Sequence, residues 1–441
     1  MMEIPCGMQE QFLEAKQLIE SSNDIKIYTH TDCDGICSGA ILSIILDRLN
    51  KDYEIEFVNL DEIENMDLDH KLTIFSDLGS GQGVDKNAKD GQKILILDHH
   101  PPLRDINYKN DKAYTYLEIN PIFYGIDGSY YVCGGGLCYF LAKTFGFKDL
   151  SWIGVLSAIG DMQNNKTGHF EGLNEIIQED AINEGLLKVT KNDLNIYGRS
   201  TRPLYVALSY FSDVKLPITN NQQEAKVVLE ELGVDEKHNR KTLSEVTEED
   251  KMEIKKFLSR MISKRVPPKY LKYVPKLIVG DAYTFLNEEE GSFLRDGSEF
   301  STAMNACGRN RKEAIGVDII KGDRLVALDA LEEVSKTHKY NLATSISKVA
   351  DNYHSEIIEL DNFQYFDCSD FDEDIASNII GTITGMVLGY CNWKKPILGF
   401  SKPKNNQIKV SLRCSKLLAY DGIHFGNMMR EIAKEVGGTG G

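Results

Sequence analysis

The residues in this sequence best suited to chemistry are carboxylates and imidazoles, and they recur in four short segments. These are His30, Asp32 and Asp34 in THTDCDG, Asp77 in FSDLGSG, Asp98, His99 and His100 in LDHHPP, and Asp161 at the end of SAIGD. Oxygen and imidazole donors without thiolate suit hard divalent cations, manganese or magnesium, better than a structural zinc. Two such ions roughly 3.5–4 Å apart need a bridging carboxylate and clamp a phosphodiester during in-line attack by hydroxide. Asp77 is the natural bridge, because it stands alone on its own strand. In an extended loop the alternation His30-x-Asp32-x-Asp34 turns all three side chains one way, and Gly35 then permits a tight turn into a helix. Singly, each piece has an ordinary reading: Asp after a strand is a common turn former or cap, and His beside proline a common loop residue. All four in order, each after a strand, are hard to obtain by chance and point to one site.

Something must bring these segments to one place. Ile25–Thr29, Glu54–Asn59, Leu72–Ser76 and Ile94–Leu97 read as strands, and Ala40–Leu49 as a helix between the first two. Strands separated by helical or turn segments imply a parallel sheet with helices on its faces. In such a sheet functional groups collect beyond the carboxyl ends of the strands, and each of the four segments is placed there, with Asp161 closing the apolar run from Ser151. The expected fold class is α/β: a parallel-sheet catalytic domain over 1–190, an inserted or connecting helical module over 191–354, and a smaller α/β substrate-binding domain over 355–441. Pro267-Pro268 punctuates the charged middle, and residues 325–353 read as helical. The last part reads as strand-like SEIIEL, a helix over Ala376–Leu388, and a strand pair at Pro396–Phe400 and Ile408–Leu412.

The composition sets limits on the rest. With 441 residues, 42% hydrophobic and 27% charged, the chain reads as a soluble globular protein of two or three domains. No apolar run is long enough to span a bilayer, and the start lacks the basic flank and apolar core of a secretion signal, so a cytoplasmic location is expected. The nine cysteines form no CxxC pair, which argues against a zinc ribbon. Cys33 with Cys37, and Cys133 with Cys138, are expected to be reduced and buried. The net charge of -17 argues against a generally nucleic-acid-coating surface, yet Ile375–Tyr420 contains no Asp or Glu and carries Lys394, Lys395, Lys402, Lys404, Lys409, Arg413 and Lys416. That stretch is expected to face phosphate.

At these residues the sequence resembles the DHH phosphoesterase superfamily, named for a triplet that here is Asp98-His99-His100. THTDCDG, the Asp77 segment, LDHHPP and the Asp161 segment resemble its four motifs. NPIFYGIDGS, IYGRSTRPL, EFSTAMNACGR, KVSLRC and the final VGGTGG resemble the archaeal RecJ-like branch, which includes the GINS-associated nuclease. The resemblance implies a first metal on His30, Asp32 and Asp77, and a second on Asp34, Asp77, His99 and Asp161. It implies that Asp98 orients a histidine and that His100 contacts the scissile phosphate. Ser411 and Arg413 would grip a phosphate, Gly437, Gly438, Gly440 and Gly441 would let backbone N–H groups approach another, and Asn305 and Arg309 would touch substrate. The family's glycine motif continues into a His and an Ala-rich stretch, whereas this sequence stops at Gly441; truncation of the recorded chain is the expectation.

The leading functional expectation is therefore a metal-dependent exonuclease acting on single-stranded DNA or RNA in replication and repair. Polarity and sugar preference stay open, since RecJ relatives often work 5′→3′ on DNA while archaeal members include 3′→5′ and RNA-directed enzymes. A small-substrate phosphoesterase acting on oligoribonucleotides or phosphoadenosine phosphate shares every catalytic residue, and a scaffold binding GINS or a helicase is a third reading.

Overall fold

A computed structural model describes residues 2–438 apart from 61, 64–65, 109–112, 235–240, 352–355, 370, 372, 402–407 and 424. The chain divides into two compact units, each built from two pieces: Met1–Asn192 with Asp281–Ser335, and Asp193–Gly280 with Lys336–Gly441.

The first unit is built on five parallel strands, β1 (Ile25–Thr29), β2 (Tyr53–Phe57), β3 (Leu72–Ser76), β4 (Lys93–Leu97) and β5 (Thr115–Ile119), in the order β2-β1-β3-β4-β5. The alternation along each strand explains the two-sided burial. Ile25, Ile27, Leu72, Ile74, Leu95 and Leu97 enter one apolar core, whereas Tyr28, Phe75, Ile94 and Ile96 enter another on the opposite face. The larger core also takes the apolar sides of α1 (Cys6–Glu20), α2 (Cys33–Arg48), α3 (Gly134–Thr144), α4 (Ser151–Gly160) and α5 (Leu173–Asn183). The opposite face is closed mainly by Val58, Ile63, Leu68, Leu78 and Val84 from connecting segments. Two helices from after residue 280, α10 (Gly297–Arg309) and α11 (Glu313–Lys321), complete the larger core through Phe300, Met304, Val317 and Ile320.

Three strands lie where the alternation and apolar runs place them, and β2 is shifted by a residue or two. β5 was not anticipated. Two local expectations need correction. Ser151–Gly160 is a helix, so Asp161 follows a helix rather than a strand. A continuous apolar run carries no periodicity to separate a buried strand from a buried helix. The segment from His30 to Asp34 is not an extended loop either, because α2 already starts at Cys33. Asp32 is its N-cap and accepts from Gly35 N at 3.1 Å, which puts Asp34 in the first helical turn. Gly35 is required for closeness rather than for a turn: a Cβ there would lie 2.0 Å from the His30 carbonyl oxygen.

The second unit has a helical core from α6 (Leu204–Ser209), α7 (Gln222–Glu231), α8 (Glu248–Ser263) and α9 (Val274–Ile278). Its sheet orders β11 (Val410–Arg413), β10 (Ile397–Phe400), β9 (Gln364–Asp367) and β8 (Ile358–Glu359), with α13 (Glu373–Val387) packed on it through Ile380, Ile383 and Val387. α14 (Lys416–Tyr420) and α15 (Phe425–Glu435) follow, and Leu417 of α14 is buried in the helical core. The chain runs between the units in β6 (Leu187–Leu194), its partner β7 (Val279–Phe285) and α12 (Val326–Asp351). Among the described residues no helix is long and apolar enough to cross a membrane.

Candidate metal centre

His30 follows β1, Asp77 follows β3, and Asp98, His99 and His100 follow β4, all at the carboxyl edge of a parallel sheet. The chain leaves β1 toward β2 on one side and resumes at β3 on the other. His30 and Asp77 therefore flank the crevice where strand order reverses, the usual ligand position in open α/β sheets. Asp77 adopts φ 59°, the left-handed region that non-glycine residues seldom occupy and that collects at functional sites. Gly134 allows this turn to sit against α3, since a Cβ there would fall 2.7 Å from the Asp77 Cβ.

Two groups of donors converge. In His30–Asp32–Asp77, and in Asp34–His99–Asp161, one donor atom from each residue lies within 4.8 Å of the others. His30 Nδ1 is 3.1 Å from Asp32 Oδ2 and 3.6 Å from Asp77 Oδ2. His99 Nε2 is 3.2 Å from Asp77 Oδ1 and 3.5 Å from Asp34 Oδ2, and Asp161 Oδ2 lies 3.9 Å from His99 Nδ1. Asp77 thus faces both groups, one oxygen to each.

A second layer fixes these groups. His99 Nδ1 is 2.8 Å from the Gly128 carbonyl. A carbonyl only accepts, so Nδ1 carries the proton and Nε2 is turned to the carboxylates, the tautomer a metal ligand needs. Gln163 donates to the same carbonyl at 2.8 Å and to Asp161 Oδ2 at 2.9 Å. Asp34 accepts from Gly134 N at 2.8 Å and Gly135 N at 2.7 Å, at the start of α3, and from the Ser157 hydroxyl. These backbone partners were invisible to motif reading, although the Gly134-Gly135-Gly136 run hints at a backbone pressed close to something. A Cβ on Gly135 would meet Ser157 Oγ at 2.1 Å.

A third grouping, Asp77, Asp98, His99 and His100, is differently used. Asp98 is fully buried and its oxygens are already occupied. Oδ1 accepts from His99 N at 2.8 Å and His100 N at 3.2 Å, and lies 2.8 Å from His100 Nδ1; Oδ2 accepts from Ser80 N at 2.9 Å. It orients His100, whose side chain is 48% exposed. Asn120, fully buried, braces the same turn by donating to the His100 carbonyl at 2.8 Å and to Ser80 Oγ at 2.9 Å.

The electrostatics fit a cation. Burial, and then the charges of Asp34 and Asp32, push the Asp77 carboxyl up to about 8. Burial and the same neighbours push Asp161 up to about 7, against the pull of His99. Burial opposes the charged forms of His30 and His99, yet their carboxylate neighbours outweigh it and raise both well above the ordinary histidine range. His100 is likewise raised against burial, by Asp98. The raised values share one cause, carboxylates crowded in a buried space, and such crowding favours added positive charge. Asp77 Oδ2 is buried without a hydrogen-bond partner. A donor set of carboxylate oxygens and imidazoles, with a buried carboxylate oxygen that has no hydrogen-bond partner, fits a divalent cation.

The remaining candidates fall in two places. Asn305, on α10, accepts from Cys33 N at 3.0 Å through Oδ1, and a Cβ on Gly308 would lie 1.7 Å from the Thr31 carbonyl oxygen. The NACGR segment thus presses on the THTDCDG turn, with Arg309 partly buried at the helix end. Ser411 and Arg413 lie in the second unit, two apart on β11 and so on one face, opposite Gly399 and Ile397. Gly381 of α13 is beside them; its Cβ would be 3.0 Å from an Arg413 guanidinium nitrogen. Gly437, at φ 71°, and Gly438 follow α15, whereas Gly440, Gly441, Lys402 and Lys404 lie outside the described residues. Cys33, Cys37, Cys133 and Cys138 are free and buried.

Comparison with known proteins is consistent with this geometry. The N-terminal domain of the DHH family matches residues 24–155, and the DHH-CID domain matches residues 196–274. The uncharacterized protein MJ0831 of Methanocaldococcus jannaschii is 30% identical over 425 residues, 95% of this chain and 87% of that protein. The fold is similar to that of CDC45 from Entamoeba histolytica, with TM-score 0.65 at 15% identity, covering 97% of this chain and 93% of that one. It is also similar to an exonuclease RecJ bound to manganese, with TM-score 0.50 at 12% identity over 93% of this chain and 83% of that one. With its family domains at the strand-end cluster and in the helical module, and a relative matched over most of both lengths, the chain belongs to the DHH family.

Proposed function

We propose that this protein is a metal-dependent exonuclease that hydrolyses single-stranded DNA or RNA to mononucleotides, of the archaeal RecJ-like, GINS-associated branch, and that it serves replication and repair. The observation carrying this reading is Asp77 between two donor groups: it belongs to the His30–Asp32–Asp77 group through a buried Oδ2 that has no hydrogen-bond partner, and its Oδ1 lies 3.2 Å from His99 of the Asp34–His99–Asp161 group. His30, Asp32 and Asp77 would hold one divalent ion, and Asp34, Asp77, His99 and Asp161 a second, with manganese preferred over magnesium. Bound there, the ions supply Lewis acidity toward the scissile phosphate and toward water.

The chain's own groups do the rest. Asp98 occupies His100 Nδ1, so Nε2 is the atom left to donate to a phosphate oxygen, and the carboxylate beside it favours the protonated ring. Asn120 and Ser80 hold that turn in place. Ser411 and Arg413 would grip a phosphate of the strand, as would the backbone N–H groups of the terminal glycines, with Asn305 and Arg309 contributing near the first motif. A second reading, a scaffold for GINS or a helicase, draws on the fold shared with CDC45; it leaves the donor cluster unused.

The test is product analysis in manganese on matched DNA and RNA 20-mers labelled at the 5′ or the 3′ end. Mononucleotides from one labelled end are the expected result and give polarity and sugar. Intact oligomers beside a cleaved dinucleotide would move the assignment to a small-substrate phosphoesterase. No hydrolysis, with capture of GINS subunits, would move it to the scaffold.

A further inference from the structure

The charged middle of the chain is not uniformly acidic. Ile254–Gly280 contains no Asp or Glu and eight lysines and arginines, in a chain that has 67 acidic residues in 441. It is the second such stretch after Ile375–Tyr420, and within the second unit the two fold against each other. Tyr270 packs edge-on to Trp393, with ring centroids 5.4 Å apart. Tyr273 packs on Tyr420 at 5.5 Å, and Leu417 anchors α14 in the helical core.

Charge is interleaved with these rings. Lys272 Nζ lies 4.7 Å from the Tyr273 ring centroid, Lys276 Nζ 5.5 Å from Tyr420, and Lys394 Nζ 6.0 Å from Trp393. Lys272, Lys276 and Lys394 are exposed, and Tyr273, Trp393 and Tyr420 are half-buried. Lys269 is paired with Asp421 at 2.8 Å and Lys416 with Asp213 at 3.2 Å, whereas Lys272, Lys276 and Lys394 form no ion pair among the described residues. A purely solvated basic face has no need of aromatic rings held at the surface by packing. Single-stranded nucleic acid needs both, cations for phosphates and ring faces for bases.

We propose that the surface formed by Lys272, Tyr273, Lys276, Trp393, Lys394 and Tyr420 is a binding track for single-stranded nucleic acid. It gives the DHH-CID segment a share in holding the strand, beyond Ser411 and Arg413. The inference rests on the nuclease reading for its ligand, so binding is measured apart from cleavage.

The experiment uses the full chain in EDTA and a fluorescent oligo(dT) 20-mer followed by anisotropy across a salt series. Lys272→Glu, Lys276→Glu and Lys394→Glu are combined. The reference carries Lys89→Glu, Lys148→Glu and Lys188→Glu, the same charge change on exposed positions of the first unit. Losing three phosphate contacts lowers the salt slope by about 2 and weakens binding on the order of 100-fold at 0.1 M salt; the reference retains most of its affinity. Tyr273→Leu weakens binding about tenfold without altering the slope. Equal binding by the two triple variants would overturn the proposal. So would a variant that keeps the oligomer but loses a polyglutamate peptide, which would reassign the surface to an acidic protein. Dinucleotide hydrolysis in manganese, measured beside these, stays unchanged in the surface variant. If the wild-type protein hydrolyses nothing while the binding losses hold, the nuclease reading fails and the track stands.

Discussion

Replacing Asp77 by Asn should make the metal-free protein more stable while removing its activity. Asn keeps the shape and tolerates the left-handed backbone at φ 59°, so the perturbation is one of charge. Folding raises the Asp77 carboxyl from 3.8 to about 8. A carboxyl raised on folding binds its proton more tightly in the native state, so it destabilises that state increasingly as pH climbs from the unfolded value toward the folded one. At pH 7 such a shift corresponds to roughly 4 kcal/mol. Side-chain relaxation and water entry reduce this, and about 2 kcal/mol is the expected gain. For a domain of this size that is a rise of roughly 4–8 °C in melting temperature. The assay is thermal unfolding in EDTA at pH 5, 7 and 8.5. The gain of Asp77→Asn over wild type should grow with pH. Manganese should then reverse the order, stabilising wild type by mass action and the variant little. A variant less stable than wild type in EDTA, and still stabilised by manganese, would refute the shared-carboxylate reasoning.

Asp77→Ala should abolish oligomer hydrolysis, because the first donor group loses a member and the second loses the carboxylate that faces its His99; near-normal turnover in a single-turnover assay would contradict that. Asp98→Asn should lower kcat by about 10- to 100-fold, the scale of one charge-assisted hydrogen bond. Because Asp98 holds the His100 proton, a pH–rate profile should show the alkaline limb moving to lower pH, with KM for the oligomer little changed. Gly308→Ala should cost more than 3 kcal/mol in urea unfolding, since its Cβ would lie 1.7 Å from the Thr31 carbonyl, and Asn305→Ala about 1 kcal/mol by uncapping Cys33 N–H. Asp85 accepts from Tyr108, Tyr114 and Arg104; against the cost of burial these partners lower its pKa. Its contribution is complete above the ordinary Asp value and lost as pH falls through the depressed one. Asp85→Asn should therefore destabilise at pH 7 by about 2–4 kcal/mol and flatten the acid limb of stability.

The strands that carry the site were legible because their burial is two-sided and their ends are marked by polar residues. Leu72–Ser76 is buried throughout, with Leu72, Ile74 and Phe75 apolar, and stops at Asp77; Ile94–Leu97 stops at Asp98. The first motif was legible as chemistry but not as geometry. His30, Asp32 and Asp34 alternate, yet Asp32 caps a helix, and Asp34 enters the site from a helical turn. Helix or strand could not be decided for Ser151–Gly160, whose residues are apolar on every side. The groups that tune the site are separated from it in sequence: Gly134 and Gly135 for Asp34, Gly128 for His99, Asn120 for His100, Asn305 for Cys33 N–H. No local pattern announces a partner 272 residues away. In the middle of the chain, acidic residues before Ile254 mask the basic stretch after it.

That long-range pairing has a consequence for how the protein is made. The turn bearing His30, Asp32 and Asp34 emerges from the ribosome early, but Asn305 and Gly308, which close over it, follow only after the intervening segment has been synthesised. At roughly 5–20 residues per second, that delay is on the order of a quarter of a minute to a minute. During it, the acid-rich turn waits without its cap while the second unit's first piece is already being made. Nascent chains halted before α10 should therefore be more open to protease at Thr31–Gly35 than chains released after it. Metal loading would then belong to the completed chain and not to the growing one.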